Sequence, residues 1–483
     1  MKVEIEKFIP KYVKALNDNN AAIFAGAGLS VPAGYVNWKG LLKDIADELR
    51  LEIDKETDLI ALAQYYVNEK RGRAGLNQKI LDEFSKKVKI TQNLQILTEL
   101  PIKHFWTTNY DTLIEQSLNN QNKTYDLKLE VENLATSLSR SDAIVYKMHG
   151  DVTLPAKAVI TKDDYEDYDS KRQLFVTALK GDLISKTFLF IGFSFDDPNL
   201  EYILSRIRIL LGDNQREHYC FLRMPQLVDF KKPGRKSSTT TELYNYAKLK
   251  LEYRIKDLKR YSINALIVDD YKEITEILVK IKTAYLRQNI LISGSAVRYS
   301  PWTEERAYNF ISKLSNQLAK NNFKIVSGFG IGIGGAAING ALEYTYTSQY
   351  QHIDESLILR PFPLGFKRTP ALTDLKNRYR KDLVLNSGIA IFVFGNKLDT
   401  TGIIDSDGVL KEFELSIANK VFPIPIGATG YMAQKLWDIV KSEPKKYGYN
   451  STKLLKELNI INNKSASNTT IIKAVFNIIS SIK

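Results

Sequence analysis

Cysteine is almost absent from this 483-residue sequence, which contains Cys220 alone. A single cysteine excludes a disulfide within the chain and any zinc site built from several cysteines. Long apolar runs are also missing, because no stretch approaches the roughly 20 residues that span a bilayer. Residues 1–11 alternate charged with apolar residues and lack the apolar core of a signal peptide. We therefore expect a cytoplasmic protein with no membrane contact and no metal site.

The remaining composition is that of a folded protein. Hydrophobic residues make up 44% of the chain and aromatic residues 11%, which argues against disorder. A chain of this length is large enough for two or three domains, each with its own core.

The net charge of +13 is concentrated in the C-terminal part of the chain. Residues 287–483 contain 25 Lys and Arg against 15 Asp and Glu. This excess suits an anionic ligand, although a solvated lysine-rich surface is the commoner explanation. A nucleic-acid-binding protein usually shows basic residues clustered with aromatic ones, whereas the basic stretch Lys231–Lys236 is short and contains Pro and Gly. We do not expect nucleic acid to be a partner.

Two glycine-rich turns lie about 300 residues apart, at residues 25–30 and 328–335. Each follows a short apolar run and precedes a segment with helical periodicity. Glycine permits a positive φ there and lets backbone amides approach a phosphate at a helix N-terminus. One such turn is a weak signal, since glycine also serves close packing.

Apolar runs alternate with helical periodicity in both halves, which predicts α/β domains with parallel sheets. The predicted strands lie at residues 21–24, 104–107, 143–148, 187–192, 219–222, 264–268, 290–293, 324–326, 357–359, 389–394 and 423–426. A helix predicted at 271–287 joins the halves. We place the boundary near residue 285, giving two Rossmann-like domains at 1–284 and 285–483.

Four motifs of the first domain resemble the sirtuin family in composition and order. They are Gly26-Ala27-Gly28-Leu29-Ser30, Thr107-Thr108-Asn109-Tyr110-Asp111, Met148-His149-Gly150-Asp151 and Gly192-Phe193-Ser194. The resemblance implies a Rossmann-like sheet that binds NAD+ and breaks the nicotinamide–ribose bond.

The resemblance also assigns roles to individual residues. His149 is expected to be the catalytic base, since a neutral imidazole accepts a proton near pH 7, and Asn109 is expected to hold the ribose and the attacking water. The NAD-binding residues that it implies are Ala25, Gly26, Ala27, Gly28, Ser30, Asp111, Gly192 and Ser194. The alternative is that Asn109 or Asp111 only caps the following helix, and His104, His218 and His352 are expected to be structural.

The first domain departs from the sirtuin pattern in two places. The four-cysteine zinc ribbon of protein deacylases is absent, and Val36-Asn37-Trp38-Lys39 replaces the usual Pro-Asp-Phe-Arg. Both changes argue against binding of an acyl-lysine peptide. Water is therefore the expected acceptor, giving nicotinamide and ADP-ribose, with NAD+ as the substrate and no further cofactor.

The second domain resembles the SLOG superfamily, which includes the cytokinin-activating LOG enzymes. The resemblance rests on Ser293-Gly294-Ser295-Ala296, the glycine turn at 328–335, the pair Arg380-Lys381 and Gly408-Val409-Leu410-Lys411-Glu412. The Pro-Gly-Gly turn of LOG enzymes is replaced by Phe394-Gly395-Asn396-Lys397 and an insertion to Asp407, which favours binding without cleavage.

The expected ligand of the second domain is a nucleotide. Arg380 can fork two bonds to a phosphate and Lys397 adds a point charge, whereas taken alone Arg380 would be interpreted as a solvated helix charge. The residues expected to bind it are Gly294, Ser295, Gly328, Gly330, Arg380, Lys397, Gly408 and Glu412.

The order of the two domains resembles the Thoeris antiphage effectors. This resemblance implies an NAD+ hydrolase that is activated when its SLOG domain binds a cyclic ADP-ribose isomer made by a TIR-domain partner protein, so that cellular NAD+ is depleted. It also implies a homo-oligomer, commonly a tetramer. Two alternatives are a catalytically inactive sirtuin-type domain that serves as a NAD or nucleotide sensor, and a LOG-like enzyme that cleaves nucleotide monophosphates.

Overall fold

The computed structural model of the chain describes residues 2–195, 197–234, 236–348, 352–362, 370–400 and 402–482. The chain divides into two compact units, Met1–Lys282 and Thr283–Lys483. Each unit is an α/β fold around a parallel sheet, so the predicted fold class is confirmed. Among the described helices, none combines the length and the apolar character that crossing a bilayer requires.

The first unit is built on a seven-stranded sheet in which every pairing is parallel. Its strands are β1 (Ala21–Ala25), β2 (His104–Thr107), β3 (Tyr125–Lys128), β4 (Ala143–Lys147), β5 (Thr187–Ile191), β6 (His218–Arg223) and β7 (Ile263–Val268). Their order across the sheet is β3-β4-β2-β1-β5-β6-β7. The direction of strand addition reverses between β1 and β5, and ligands of such sheets bind at this switch point, beyond the carboxyl ends of the strands.

Helices follow most of these strands. They are α1 (Lys2–Asn17), α2 (Ala27–Ser30), α3 (Trp38–Leu41), α4 (Lys43–Glu48), α5 (Leu59–Lys70), α6 (Ala74–Phe84), α7 (Gln92–Glu99), α8 (Leu113–Asn120), α9 (Val131–Leu134), α10 (Lys162–Glu166), α11 (Tyr168–Lys171), α12 (Gln173–Ser185), α13 (Pro198–Leu211), α14 (Ser237–Lys259) and α15 (Lys272–Leu286). Phe24, Trp106 and Phe190 on the central strands are buried. Near-continuous burial along a strand is what helices on both faces of a parallel sheet produce.

The second unit has a five-stranded parallel sheet with the order β10-β9-β8-β11-β14. Its strands are β8 (Asn289–Ser295), β9 (Lys324–Ser327), β10 (Leu357–Leu359), β11 (Ile389–Phe394) and β14 (Phe422–Pro425), and β12 (Asn396–Asp399) pairs with β13 (Gly402–Asp405) as an antiparallel hairpin. The hairpin occupies the insertion noted before Asp407. The switch point of this sheet lies between β8 and β11.

Eight helix segments are described around this second sheet. They are α16 (Glu304–Lys320), α17 (Gly334–Thr347), α18 (Ile353–Ser356), α19 (Pro370–Leu385), α20 (Asp407–Ala418), α21 (Tyr431–Ser442), α22 (Thr452–Ile460) and α23 (Asn468–Ile482). Val475 and Ile478 of α23 are fully buried in the same core as Phe310 and Ile391. The last helix therefore belongs to the hydrophobic core of the second unit.

Candidate active site and nucleotide site

In the first unit, the glycine turn after β1 (residues 25–30) and the turn after β5 (residues 192–194) meet at the switch point between these two strands. The amide of Gly26 donates to the carbonyl of Ile191 at 3.0 Å, and the amide of Gly28 donates to the carbonyl of Gly192 at 2.8 Å. Gly192 has φ +65°, and a Cβ there would lie far inside van der Waals contact with the Leu29 amide. The sequence-predicted residues 25–30 and Gly192 thus form one packed turn pair. Because the amides of Gly26, Gly28 and Leu29 are used within the protein, a phosphate would be met by the other amides of the turn.

Asn109 fastens the end of β2 to this turn pair. Its Nδ2 donates to the carbonyl of Gly26 at 3.1 Å and to Oγ of Ser30 at 3.0 Å. The Oγ1 of Thr107 donates to the carbonyl of Ala25 and accepts from the Asn109 amide, both at 3.0 Å. The side chain of Asn109 therefore bridges β1 and β2 instead of capping α8, whose N-cap residue is Thr112.

Only one of the two carboxylate oxygens of Asp111 accepts a hydrogen bond. Its Oδ1 accepts from the amide of Leu113 at 3.0 Å, so it does support the start of α8. Its Oδ2 is buried without a hydrogen-bond partner, and the residue is only 4% exposed. A buried carboxylate oxygen without a donor is costly, and an amide donor from a ligand would satisfy it. Ser194, on the turn after β5, is exposed.

His149 lies on the turn that follows β4, and it is 3% exposed. Its Nε2 is 3.1 Å from Oδ2 of Asp197, outside hydrogen-bond geometry. The rings of Tyr165 and Tyr168 face it edge-on, with centroids at 5.5 and 6.1 Å. The arrangement is closed at His149, because a substrate can reach the imidazole only if some of these side chains move.

Asp197 lies at the N-terminus of α13, and its side chain is 10% exposed. Burial acts to raise the pKa of its carboxyl group, but the neighbouring His149 and the amides of Leu200 and Asn199 outweigh it, so the pKa lies below the usual aspartate range. The carboxylate is therefore ionised beside His149 at neutral pH.

Lys147 links the Asn109 loop to the His149 loop. It is fully buried, with its Nζ 2.8 Å from Oδ2 of Asp151 and 3.3 Å from Oε1 of Glu115. The same Nζ donates to the backbone carbonyl of Asp111 and lies 3.4 Å from that of Asn109. Burial lowers the pKa of the Lys147 ammonium, but the surrounding carboxylates reverse this and raise it above its ordinary value. Burial raises the pKa of Glu115.

The other histidines have structural surroundings. His104 Nδ1 lies 2.7 Å from Oδ2 of Asp182, which also accepts from the Trp106 indole. His218 Nδ1 accepts from the Phe188 amide at 3.2 Å, and burial lowers the pKa of His218 to about 3. His352 is exposed before α18.

In the second unit, Arg380, Gly408 and Glu412 come together. The Arg380 Nε lies 3.9 Å from Oε1 of Glu412 and has no hydrogen-bond partner, and a Cβ on Gly408 would lie 3.1 Å from the Arg380 guanidinium. The guanidinium carbon lies 4.9 Å from the ring centroid of Phe362. With its side chain 12% exposed, Arg380 is not a solvated helix charge.

Glu412 connects this cluster to β8. Its Oε2 accepts from Oγ of Ser293 at 2.6 Å. Burial raises the pKa of Glu412, although the Ser293 hydroxyl and the Arg380 charge act against it. Glu412 thus lies between the Ser293 hydroxyl of β8 and the Arg380 guanidinium.

The glycines of β8 and of the 328–335 turn make a close backbone approach. A Cβ on Gly330 would overlap the carbonyl of Gly294. Gly328 begins the turn and accepts from the Phe362 amide at 3.0 Å. Ser295 Oγ donates to the carbonyl of Asn396 at 2.9 Å, and Asn396, in the segment that replaces Pro-Gly-Gly, accepts from two amides after β8.

Lys397 is placed differently from the other predicted residues. Its Nζ pairs with Asp407 at the start of α20. The structure therefore groups Arg380, Gly408 and Glu412, and it places Lys397 on the hairpin with a carboxylate partner of its own.

The sequence did not identify three contacts of the expected site residues. Lys147 and Asp197 contact the segments of Asn109 and His149, and Ser293 is the hydrogen-bond partner of Glu412. The Asp197-Pro198 pair is a helix-start signal and could have located α13, although not the contact with His149. In the described part of the chain, no group of three or more His, Cys, Asp or Glu side chains is arranged to hold a metal ion.

Two family models match the chain. Residues 103–247 match the family model "SIR2-like domain", and residues 273–482 match the "Sir2- and TIR-associating SLOG family". A SIR2-like domain followed by a SLOG domain defines the class of protein.

Three relatives match 93% or more of the chain. The "NAD(+) hydrolase ThsA" of Cytobacillus dafuensis is 46% identical over 485 residues, covering 100% of this chain and 98% of the relative. The protein of that name from Bacillus cereus (strain MSX-D12) is 46% identical over 98% of this chain and 97% of the relative. That from Acinetobacter baumannii (strain 532279) is 45% identical over 93% of both. The chain belongs to the ThsA family of NAD(+) hydrolases.

Proposed function

We propose that the first unit hydrolyses NAD+ to nicotinamide and ADP-ribose in the cytoplasm, and that a cyclic ADP-ribose isomer bound to the second unit activates it in antiphage defence. The observation that carries the catalytic part is the bridge made by Asn109. Its side-chain amide holds the glycine turn of β1. The backbone carbonyls of Asn109 and Asp111 are held by Lys147, which also pairs with Asp151, two residues after His149. Full-length similarity to proteins named NAD(+) hydrolase supports the same reaction.

The proposed chemistry uses groups that lie at the switch point. The C1′–N bond breaks, its electron pair leaves with nicotinamide, and positive charge develops on the ribose. The water oxygen then bonds to C1′, and its proton passes to the His149 imidazole. The unpartnered Oδ2 of Asp111 would accept from the nicotinamide carboxamide. No step requires a metal, so we expect a chelator to leave the rate unchanged.

The regulatory part rests on the second switch point. The unpartnered Nε of Arg380 and the partly buried guanidinium suit a phosphate of an anionic ligand. The family description links such SLOG domains to TIR proteins, which supports a TIR-domain partner as the source of the signal. Activation requires that the ligand bind the active arrangement better than the inactive one. The covered His149 supports a resting state that must open.

We also propose a homo-oligomer, a tetramer, formed through the first unit. Large apolar side chains are exposed on α13 and α14: Ile209 is 69% exposed, Leu210 79% and Tyr246 67%. Where such side chains form one patch, the patch is typical of a surface that binds another protein. A second copy of the chain would cover it.

The proposal is tested by product analysis on the purified full-length protein. NAD+ is incubated with and without a panel of cyclic ADP-ribose isomers, and nicotinamide and ADP-ribose are separated by chromatography. We expect both products in equal amounts, and a loss of about 100-fold or more in His149→Ala and Asn109→Ala. Asn119→Ala, on the exposed side of α8, is the matched control and should keep the wild-type rate.

Two results would contradict the proposal. Binding of NAD+ without release of nicotinamide under any isomer would indicate a sensor that does not cleave. Release of free base from AMP, with NAD+ left intact, would indicate a LOG-like enzyme.

A further inference from the structure

The carboxylate of Asp197 has two separate contacts. Its Oδ1 accepts from the amides of Asn199 at 2.9 Å and Leu200 at 3.2 Å, which caps α13. Its Oδ2 faces Nε2 of His149 at 3.1 Å. The cap fixes the carboxylate through the backbone of a 14-residue helix, so the second oxygen is held in place before any substrate binds.

The other groups around His149 are neutral. Tyr165 of α10 and Tyr168 of α11 face the ring, and burial keeps the pKa of each hydroxyl well above its ordinary value. The Tyr168 hydroxyl donates to the carbonyl of Met148. Burial likewise raises the pKa of Tyr110, whose hydroxyl donates to Val159. At the end of β4, two residues before His149, the ammonium of Lys147 contacts the backbone carbonyl of Asp111 and the carboxylates of Glu115 and Asp151.

Among the described residues, Asp197 is therefore the charged side chain in contact with the imidazole. A carboxylate within about 4 Å of a buried histidine favours the imidazolium form. It also faces one ring nitrogen, Nε2, so the other nitrogen is the one that takes a proton.

We propose that Asp197 is a positioning residue for His149, an inference that rests on the proposed NAD+ hydrolysis. The carboxylate orients the imidazole through Nε2 and stabilises the imidazolium formed when the ring accepts a proton from a ribose hydroxyl or water. The proton stays on the imidazole until it is released to solvent, and Asp197 remains ionised throughout.

The first measurement does not depend on turnover. The chain has four histidines, so labelling with [13C]histidine gives few resonances, and His149→Ala identifies the one from His149. Its titration is followed by NMR in the wild type, Asp197→Asn and Glu201→Gln. The asparagine side chain keeps an oxygen that can cap α13, so Asp197→Asn removes only the charge. Glu201 lies exposed in the first turn of α13, and Glu201→Gln removes a charge from the same helix away from His149.

We expect the titration of His149 to differ between the wild type and Asp197→Asn, because the carboxylate that faces Nε2 is lost, and to be unchanged in Glu201→Gln. The second measurement is the pH profile of kcat/KM for NAD+. The profile should move in Asp197→Asn, and kcat should fall about tenfold or more because a less well oriented base remains.

The proposal is overturned if His149 titrates at the same pH in Asp197→Asn as in the wild type, or if the pH profile does not move. If Asp197→Asn does not fold, Asp197→Ser supplies a capping hydroxyl and is held to the same criteria. An NMR shift with no nicotinamide released by the wild type would refute the proposed function and leave the contact itself established. If the wild type is active and Asp197→Asn matches it in both the His149 titration and turnover, the role of Asp197 is refuted and the proposed function stands.

Discussion

The ammonium group of Lys147 shows how single residues shape the catalytic side of the molecule. It has no exposed surface, and it contacts two carboxylates and two backbone carbonyls. These carbonyls belong to Asn109 and Asp111, and the Asp151 carboxylate follows His149 by two residues. One buried cation thus holds both loops that carry the expected catalytic residues.

Replacement of Lys147 by Met should destabilise the first unit strongly. It leaves the buried carboxylates of Glu115 and Asp151 without a cation, and breaking a buried pair costs about 3–5 kcal/mol. The measurement is the midpoint of urea unfolding of the full chain. Lys171→Met is the control, because the Lys171–Asp167 pair is exposed and such pairs contribute about 0–1 kcal/mol. Equal midpoints for the two variants would show that the buried contacts are not stabilising.

Asn109 and His149 could be singled out from the sequence because each lies in a short motif that resembles the sirtuin pattern. The sequence could not locate Lys147 or Asp197 as partners of these residues. The importance of Lys147 arises from the parallel pairing of β2 with β4, and that of Asp197 from the place where α13 begins. Both depend on contacts between distant segments.

Among the structural elements, the turns after β1 and β5 are tightly constrained. Gly192 combines a positive φ with backbone contact on Leu29 and Gly28, so the two turns can close only if this residue has no side chain. Strained or glycine-dependent backbone of this kind is common where a ligand is bound.

Gly192→Ala should therefore weaken NAD+ binding and lower stability. The added Cβ meets the Leu29 amide, and alanine is disfavoured at φ +65°, so the turn pair must separate. Calorimetry with NAD+ and thermal unfolding measure the two effects. Gly181 is an exposed residue of α12 with nothing within 4 Å of an added Cβ, so the control Gly181→Ala should stabilise the helix by about 0.5–1 kcal/mol. Wild-type affinity in Gly192→Ala would contradict the role given to this turn.

Strands were easier to predict than some helices, for a physical reason. The predicted strands agree with the observed ones to within two residues, because buried parallel strands are continuous apolar runs. The edge strand β3 has the sequence Tyr-Asp-Leu-Lys and lacks such a run. The 23-residue helix α14 was not predicted either, since polar residues surround its exposed Tyr246 and Tyr253 and no apolar stripe marks a helix.

At the scale of the whole molecule, the exposed apolar residues of α13 and α14 give the proposed oligomer a testable surface. Leu210→Glu places a charge at the most exposed of the large apolar side chains, and burying it between copies would be unfavourable. Light scattering should give the wild type a mass that is a multiple of 55.0 kDa and the variant a smaller one. Leu138→Glu, 54% exposed elsewhere in the first unit, should keep the wild-type mass. An unchanged mass in Leu210→Glu would exclude this surface.

A ligand held by the second unit is expected to control cleavage of NAD+ in the first. The most direct test is nicotinamide release at fixed NAD+, measured against the concentration of the active cyclic ADP-ribose isomer, for the wild type, Arg380→Ala and Arg378→Ala. Arg378 is exposed two residues away on α19 and serves as the matched control. We predict that Arg380→Ala needs about tenfold to 100-fold more isomer, as expected for loss of a charged hydrogen bond, while Arg378→Ala follows the wild type. An unchanged response in Arg380→Ala would contradict the account.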